Sequence, residues 1–311
     1  MKELKNEGLS SPMADFPDHF LHTLRSRHAI IKQIRAFFDG QGYLEVETPV
    51  RVPCPCIDPY IDAFTAEQDF YLSASPEFHM KRLLALDLRR IYQITRAFRA
   101  EETGPQHSSE FTILEWYRKG TDYLGIMHET EELVKFILRD ADFKTDTWQF
   151  PFPRLKISEL YLETAGWDPC CTWDEDRYFR DWAEKIDPYL YSYRAVFLFD
   201  FPAPLASLSK IKLENPCECE RFELFMKGLE IGNAFSELIN YEEHVMRFNQ
   251  AGKKRLHMGK ANYIPDKEFL NAIQAGIPEC GGIAIGVDRL VMALLGCSHI
   301  DGVQTFPLCR L

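Results

Sequence analysis

Little in this chain points to a membrane, a secretion route or a zinc fold. No apolar run reaches membrane-spanning length, and Met1 to Leu21 lacks the apolar core of a signal peptide. Cytoplasmic residence is the expectation. The nine cysteines are odd in number and widely spread. Cys54-Pro-Cys56 and Cys217-Glu-Cys219 lack the Cys-x-x-Cys spacing of structural zinc, so reduced thiols are expected. Positive charge is also short: 36 Lys and Arg stand against 47 Asp and Glu, a net charge of -11. A broad nucleic-acid footprint needs the reverse, although a local basic patch is still allowed. No side chain stands out as a covalent nucleophile.

What is present is an ordinary globular composition, 46% hydrophobic and 27% charged over 311 residues, enough for a large core. Its most informative stretch runs from Ile91 to Arg118 and reads as two strands joined by a charged loop. Gln93, Thr95, Ala97 and Arg99 share one parity. Phe111, Ile113, Glu115 and Tyr117 alternate with Leu114 and Trp116. The loop holds Glu101, Glu102 and His107. An Arg for a phosphate, an aromatic plate for a base and carboxylates for an amine or a metal suit a nucleotide. On pattern alone, a surface hairpin with scattered charges fits equally.

Two other stretches stand in register with this one. GYLEVETP (Gly42 to Pro49) precedes it and GGIAIGVDRL (Gly281 to Leu290) follows it. In that order the three resemble motifs 1, 2 and 3 of the class II aminoacyl-tRNA synthetases, over about residues 25 to 311. The lysyl subgroup is the nearest, and within it the short paralogues that act on elongation factor P. The resemblance implies an α+β fold, an antiparallel sheet flanked by helices. Residues 1–24 carry no periodicity and read as a flexible arm or partner-contacting tail, and the resemblance implies one catalytic domain over 25–311, without the OB-fold domain that reads an anticodon.

In chain order, Arg25 to Phe38 has the apolar stripe of a helix, and Tyr43 to Glu47 alternates like a strand closed by Pro49. In this family that pair forms the homodimer interface. Ser75-Pro76-Glu77 reads first as a helix start, with Ser75 as N-cap and Pro76 at the first helical position. The resemblance adds contact with the amino-acid substrate. Asp122 to Leu138 is an ordinary helix. Ala141 to Tyr193 says least; its four tryptophans suit a core more than a binding box. Glu223 and Glu230 would share one side of a helix, whereas Asn233, Phe235 and Glu237 share a strand parity that Glu230 breaks. An irregularity near Gly232 is therefore expected. Lys253, Lys254, Arg255, His257 and Lys260 form the densest basic run, read as a solvated loop or a docking patch. In the last motif Ile283, Ile285 and Val287 share one face and leave Ala284 and Gly286 nearly bare on the other. A ligand can lie flat on such a face.

The resemblance implies carboxylate activation with ATP and Mg²⁺. Arg99 and Arg289 would be the catalytic cations. The nucleotide would also meet Glu101, Ser108, Phe111, Glu230, Ile231 and Gly286. Glu223 and Glu230 would hold the metal. Ser75, Glu77, Tyr117, Asn233, Phe235, Glu237 and Ala284 would bind lysine or (R)-β-lysine, with Glu237 on the side-chain ammonium. The acceptor would be a lysine of elongation factor P rather than a tRNA. Ala284 matters because lysyl-tRNA synthetases typically carry Gly there, and one methyl in a pocket shifts discrimination by about 1–3 kcal/mol. The chain departs from the family pattern at Ser108-Ser109, Ala100 and Ala234. Those departures bear on local affinity and substrate choice, not on the reaction type. Other readings are tRNA charging, a non-catalytic regulatory paralogue and amide synthesis on a free amino acid. The last predicts an Arg where Glu237 stands.

Overall fold

The computed structural model describes residues 20–139 and 148–310. The arm expected over residues 1–24 lies mostly outside them, and the helix expected from Arg25 begins earlier, at Phe20. This α1 (Phe20–Gly40) buries Ile30, Ile34, Phe37 and Phe38. Strands β1 (Leu44–Glu45) and β2 (Arg51–Val52), β3 (Thr65–Glu67) and β4 (Phe70–Leu72) lead to α2 (Glu77–Leu84). The central hairpin is β5 (Arg90–Phe98) and β6 (Glu110–Lys119), followed by α3 (Tyr123–Leu138). Asp122 caps α3 by accepting from the Gly125 amide, as expected.

The least readable stretch forms β7 (Arg154–Lys156), α4 (Ile157–Ala165), α5 (Glu175–Asp181), a π turn over Trp182–Ile186 and α6 (Asp187–Leu190). Then come β8 (Ala195–Pro202), β9 (Glu218–Met226), β10 (Leu229–Ser236), α7 (Tyr241–His257), α8 (Lys267–Gly276), β11 (Cys280–Gly286) and α9 (Val287–Leu295). Among the described residues, eight strands make one sheet in the order β1-β5-β6-β11-β10-β9-β8-β7. Its interior pairings are antiparallel, and only β1 and β7 at the edges join in parallel. β2, β4 and β3 form a small separate sheet. The class II expectation of an antiparallel sheet with flanking helices holds, with a mixed sheet as its refinement.

The register explains the division of labour. Tyr92, Trp116, Ile283, Ala234 and Phe222 line up across five strands and face α1, α3 and α9 in the main core. One residue along, the pleat reverses every side chain. Gln93, Glu115, Ala284, Asn233 and Glu223 form the next row. Ile91, Tyr117, Gly282, Phe235 and Arg221 form another on the same side. These polar rows floor the cleft described below.

Three sequence expectations change. Glu223 and Glu230 do not lie on a helix. They sit on β9 and β10, joined by Lys227-Gly228, both at positive φ, the geometry a two-residue hairpin loop requires. Pro76 is the N-cap of α2 rather than its first residue, although Ser75 Oγ still accepts from the Glu77 amide at 3.0 Å. The basic run is the C-terminal half of helix α7 and the turn after it, not a solvated loop. There Lys254 pairs with Glu175 at 2.7 Å, and Arg255 and Lys260 pair with Asp62 at 2.8 and 2.6 Å. Most of that run is spent holding the molecule together.

Candidate active site

Two adjoining cavities, of about 410 and 800 Å³, open over the polar face of the sheet. They share Arg221, Glu223, Glu230 and Arg289. The smaller divides into an end rich in carboxylates and an end rich in guanidinium groups.

At the carboxylate end, Glu115 on β6 and Glu237 just past β10 are almost wholly buried, and Glu77 opens α2 beside them. One residue that the sequence did not single out joins them. Lys81, one helical turn after Glu77 on the same face of α2, is 1% exposed. Its Nζ donates to Glu77 Oε1 at 2.6 Å and forms an ion pair with Glu237 Oε2, which lacks hydrogen-bond geometry. Among the described residues Glu115 takes its hydrogen bonds only from neutral groups. It accepts from Ser75 Oγ at 2.7 Å and from the Tyr117 hydroxyl at 2.5 Å. Burial, then the nearby Glu77 charge, pushes the Glu115 carboxyl up to about 8. Burial likewise holds Glu237 at about 7, against the pull of Lys81. Burial alone would lower Lys81, but Glu237 and Glu77 outweigh it and leave the ammonium above its ordinary range.

Gly282 makes this crowding possible. A Cβ there would sit 2.3 Å from the Tyr117 ring and 2.7 Å from Glu237 Oε1. Phe235 flanks the same row, and Asn233 presents a buried Oδ1 without a hydrogen-bond partner. Ala284 lies between Glu115 and Asn233 in its row, with its methyl on the cleft side.

At the other end, Arg99 follows β5 and lies over the Phe111 ring, 5.2 Å from its centroid. Its buried Nε has no hydrogen-bond partner, and its nearest carboxylate, Glu102, is 3.8 Å away. Glu101 stands exposed in the turn at φ 65, and it is Glu102 that lines the cleft. Ser108, Ile231 and Gly286 line it too. Arg289 in the first turn of α9 donates to two carbonyl oxygens, of Gln106 at 3.2 Å and Glu230 at 3.0 Å. Asp288 anchors that turn. It accepts from the Thr112 amide at 2.7 Å and from Arg27 of α1 at 2.6 Å, another partner the sequence did not reveal. Burial, then Arg289, lowers the His107 imidazole in the adjoining loop.

Between the two ends stand Glu223 and Glu230. A bulge in the β9–β10 register between Glu230 and Gly232 returns Glu230 to the cleft side, which accounts for its odd parity. Arg221 donates to Glu223 at 2.5 Å. Burial raises Glu223 to about 7, with Arg221 opposing and Glu230 adding. Two carboxylates beside an open cleft are a donor set that suits a Mg²⁺ completing its shell with phosphate oxygens and water. Of the four tryptophans expected in the core, Trp173 and Trp182 pack against it half-buried and also line the larger cavity.

The structure thus gathers every residue expected at the site, except the Glu101 side chain, on one face of the sheet. It adds Lys81, Arg221 and the Arg27–Asp288 tie.

Comparison with known proteins points the same way. The family model for class II tRNA synthetases (D, K and N) matches residues 16–310. A Vibrio cholerae protein named elongation factor P–(R)-β-lysine ligase is 37% identical over 319 residues, covering 94% of this chain and 98% of that protein. Proteins of the same name from Mannheimia succiniciproducens and Proteus mirabilis are 36% and 35% identical, over 93% and 96% of this chain and 96% and 99% of their own length.

Proposed function

The chain belongs to the class II tRNA synthetases of the D, K and N group, and on that premise we propose that it is an ATP-dependent ligase that activates lysine, preferably (R)-β-lysine, as an adenylate and transfers it to a lysine side chain of elongation factor P. The observation that carries this reading is the pairing, on one sheet face, of a loosely paired guanidinium over an aromatic ring with a pocket walled by three carboxylates.

Arg99 takes the α-phosphate, and Phe111 stacks on the adenine. Arg289 lies against the adenine or reaches the γ-phosphate. Glu102, in place of the expected Glu101, completes the nucleotide end with Ser108, Ile231 and Gly286. Glu223 and Glu230 would hold Mg²⁺, which when bound supplies charge neutralisation on the phosphates. The substrate carboxylate points toward Arg99. Its ammonium groups enter the pocket of Glu77, Glu115 and Glu237, with Ser75, Tyr117, Asn233 and Phe235 around them. The Ala284 methyl narrows the floor there and favours the β-amino isomer. Catalysis is then alignment of the attack and neutralisation of charge at phosphorus. The larger cavity, open beside Glu230 and Arg289, is the approach for the acceptor lysine. Leu44 on β1 and Val50 just before β2, exposed by 52% and 37%, support the same homodimer surface as in the family.

ATP–pyrophosphate exchange with α-lysine, (R)-β-lysine and other amino acids as separate substrates tests this. Exchange strongest with (R)-β-lysine, followed by labelling of elongation factor P, is the expected result. Exchange strongest with α-lysine would return weight to tRNA charging. No exchange from folded protein would leave a non-catalytic paralogue.

A further inference from the structure

The amino-acid pocket contains one charged group that the proposed reaction does not use. Lys81 is buried in the pocket wall and paired with Glu77 and Glu237; among the described residues no other cation pairs with those two, and none lies within ion-pair distance of Glu115. A helix needing only a tie to the sheet has cheaper means, because burying a lysine costs several kcal/mol before its partners repay it. The carboxylates are also more numerous than one lysine needs. With bound ammonium groups in place of the protons that burial otherwise favours, three negative charges and one positive leave a balance of two negatives.

We propose that Lys81 is a specificity-determining residue: by spanning Glu77 and Glu237 it cancels one of the pocket's three carboxylate charges and sets the pocket to the complement of a substrate with two ammonium groups. This rests on the reading of the cleft as a lysine-activating site and extends it. The substrate carboxylate lies outside the balance, since it is directed to the phosphate and becomes part of the adenylate. Two ammonium groups then face two uncompensated carboxylate charges. A monoamino acid of the same length leaves one carboxylate buried without a partner, which is how a polar pocket rejects a ligand lacking a group. Lys81 need not touch the substrate. It acts through Glu77 and Glu237, holding their oxygens at the spacing of one ammonium and leaving the remaining lone pairs for others.

The test is pyrophosphate exchange at saturating ATP with a diamino acid and with norleucine, its monoamino counterpart. It compares wild type, Lys81→Met and the double variant Lys81→Met/Glu77→Gln. Removing one partner of a buried charge pair is expected to raise the KM of the diamino acid roughly 30-fold or more. The KM for ATP, measured in the same cleft, stays within about twofold and reports that the fold is intact. The double variant returns the charge balance to two negatives. It is expected to recover at least about fivefold of the lost KM, which a purely structural tie would not do. A KM for the diamino acid unchanged in Lys81→Met, or a double variant no better than the single one, overturns the inference. Should Lys81→Met not fold, Glu77→Gln alone takes the balance to one negative. It is expected to lose about tenfold in discrimination of the diamino acid over norleucine; unchanged discrimination overturns the inference. Wild-type protein inactive with every diamino acid overturns the functional reading itself, whereas active wild type with unaltered variants overturns only the role of Lys81.

Discussion

The two ends of the cleft are built on opposite electrostatic plans. At the amine end the charges are already engaged with one another or with hydroxyl groups. Lys81 spans Glu77 and Glu237, and Glu115 accepts from Ser75 and Tyr117. At the phosphate end the cations are only loosely paired, with Glu102 3.8 Å from Arg99 and the Glu230 carboxylate 3.7 Å from Arg289. Arg289 donates to two carbonyl oxygens, and Arg99 keeps a buried Nε without a partner over the Phe111 ring. A ligand entering the first end must displace protons or rearrange existing pairs. A ligand entering the second meets positive charge that is oriented in advance, the arrangement that stabilises developing charge most effectively. Binding selectivity therefore belongs to one end and rate to the other.

The sharpest way to break that comparison is to remove charge from the phosphate end. Arg99→Ala is expected to lower the exchange rate by about 10²–10³, the usual cost of deleting one preorganised donor. Lysine affinity, measured by equilibrium titration without ATP, is expected to stay at the wild-type value. A parallel loss of lysine affinity would mean that the two ends are one electrostatic unit. The complementary variant, Glu237→Gln, removes one charged partner. It is expected to raise the KM for lysine on the order of 10- to 100-fold, with the KM for ATP nearly unchanged. Equal losses for both ligands would remove Glu237 from the role given to it. Smaller again is Gly282→Ala. Its methyl has to displace Tyr117 and Glu237 from positions 2.3 and 2.7 Å away. Overpacking of this kind costs about 1–3 kcal/mol of stability, read as a lower Tm, and lysine use should suffer while ATP use does not.

The comparison also explains what was legible in the sequence. The floor of the cleft was readable, because a sheet with one buried face writes its register into alternation. Ile283 and Ile285 against Ala284 and Gly286, and Leu114 and Trp116 against Glu115 and Tyr117, separate the core from the site. The bulge was readable as a conflict of parity between Glu230 and Asn233. Partners brought in by tertiary packing were not. Lys81 reads as a polar position on a short helix, since periodicity does not say which polar residue meets the sheet. Arg27 and Asp288 are 261 positions apart. The run from Lys253 to Lys260 looks solvated until Asp62 and Glu175, distant in the chain, arrive opposite it.

The finest distinction between the ends is protonic, and it is carried by Glu115. Its carboxyl is held at about 8 in the folded chain, against an ordinary 4.5, by burial and then by the charge of Glu77. Between those values the folded protein binds a proton that the unfolded chain has released. The contribution to stability is therefore full below the unfolded value and is lost as pH rises through about 8. Glu237 and Glu223, each at about 7, act with the same sign. His244, pushed down to about 4 by burial, has the opposite sign and penalises folding as pH falls below 6.5. Ligand-free protein should then lose thermal stability from pH 7 to pH 9, and Glu115→Gln, which cannot release the proton, should flatten that limb by about 2–4 °C. Saturating lysine should flatten it in the wild type too, because an ammonium group takes over the work of the proton. Parallel wild-type and variant profiles across this range, without ligand, would show that Glu115 is ionised in the folded chain, and the amine end would then carry its full negative charge before any substrate arrives.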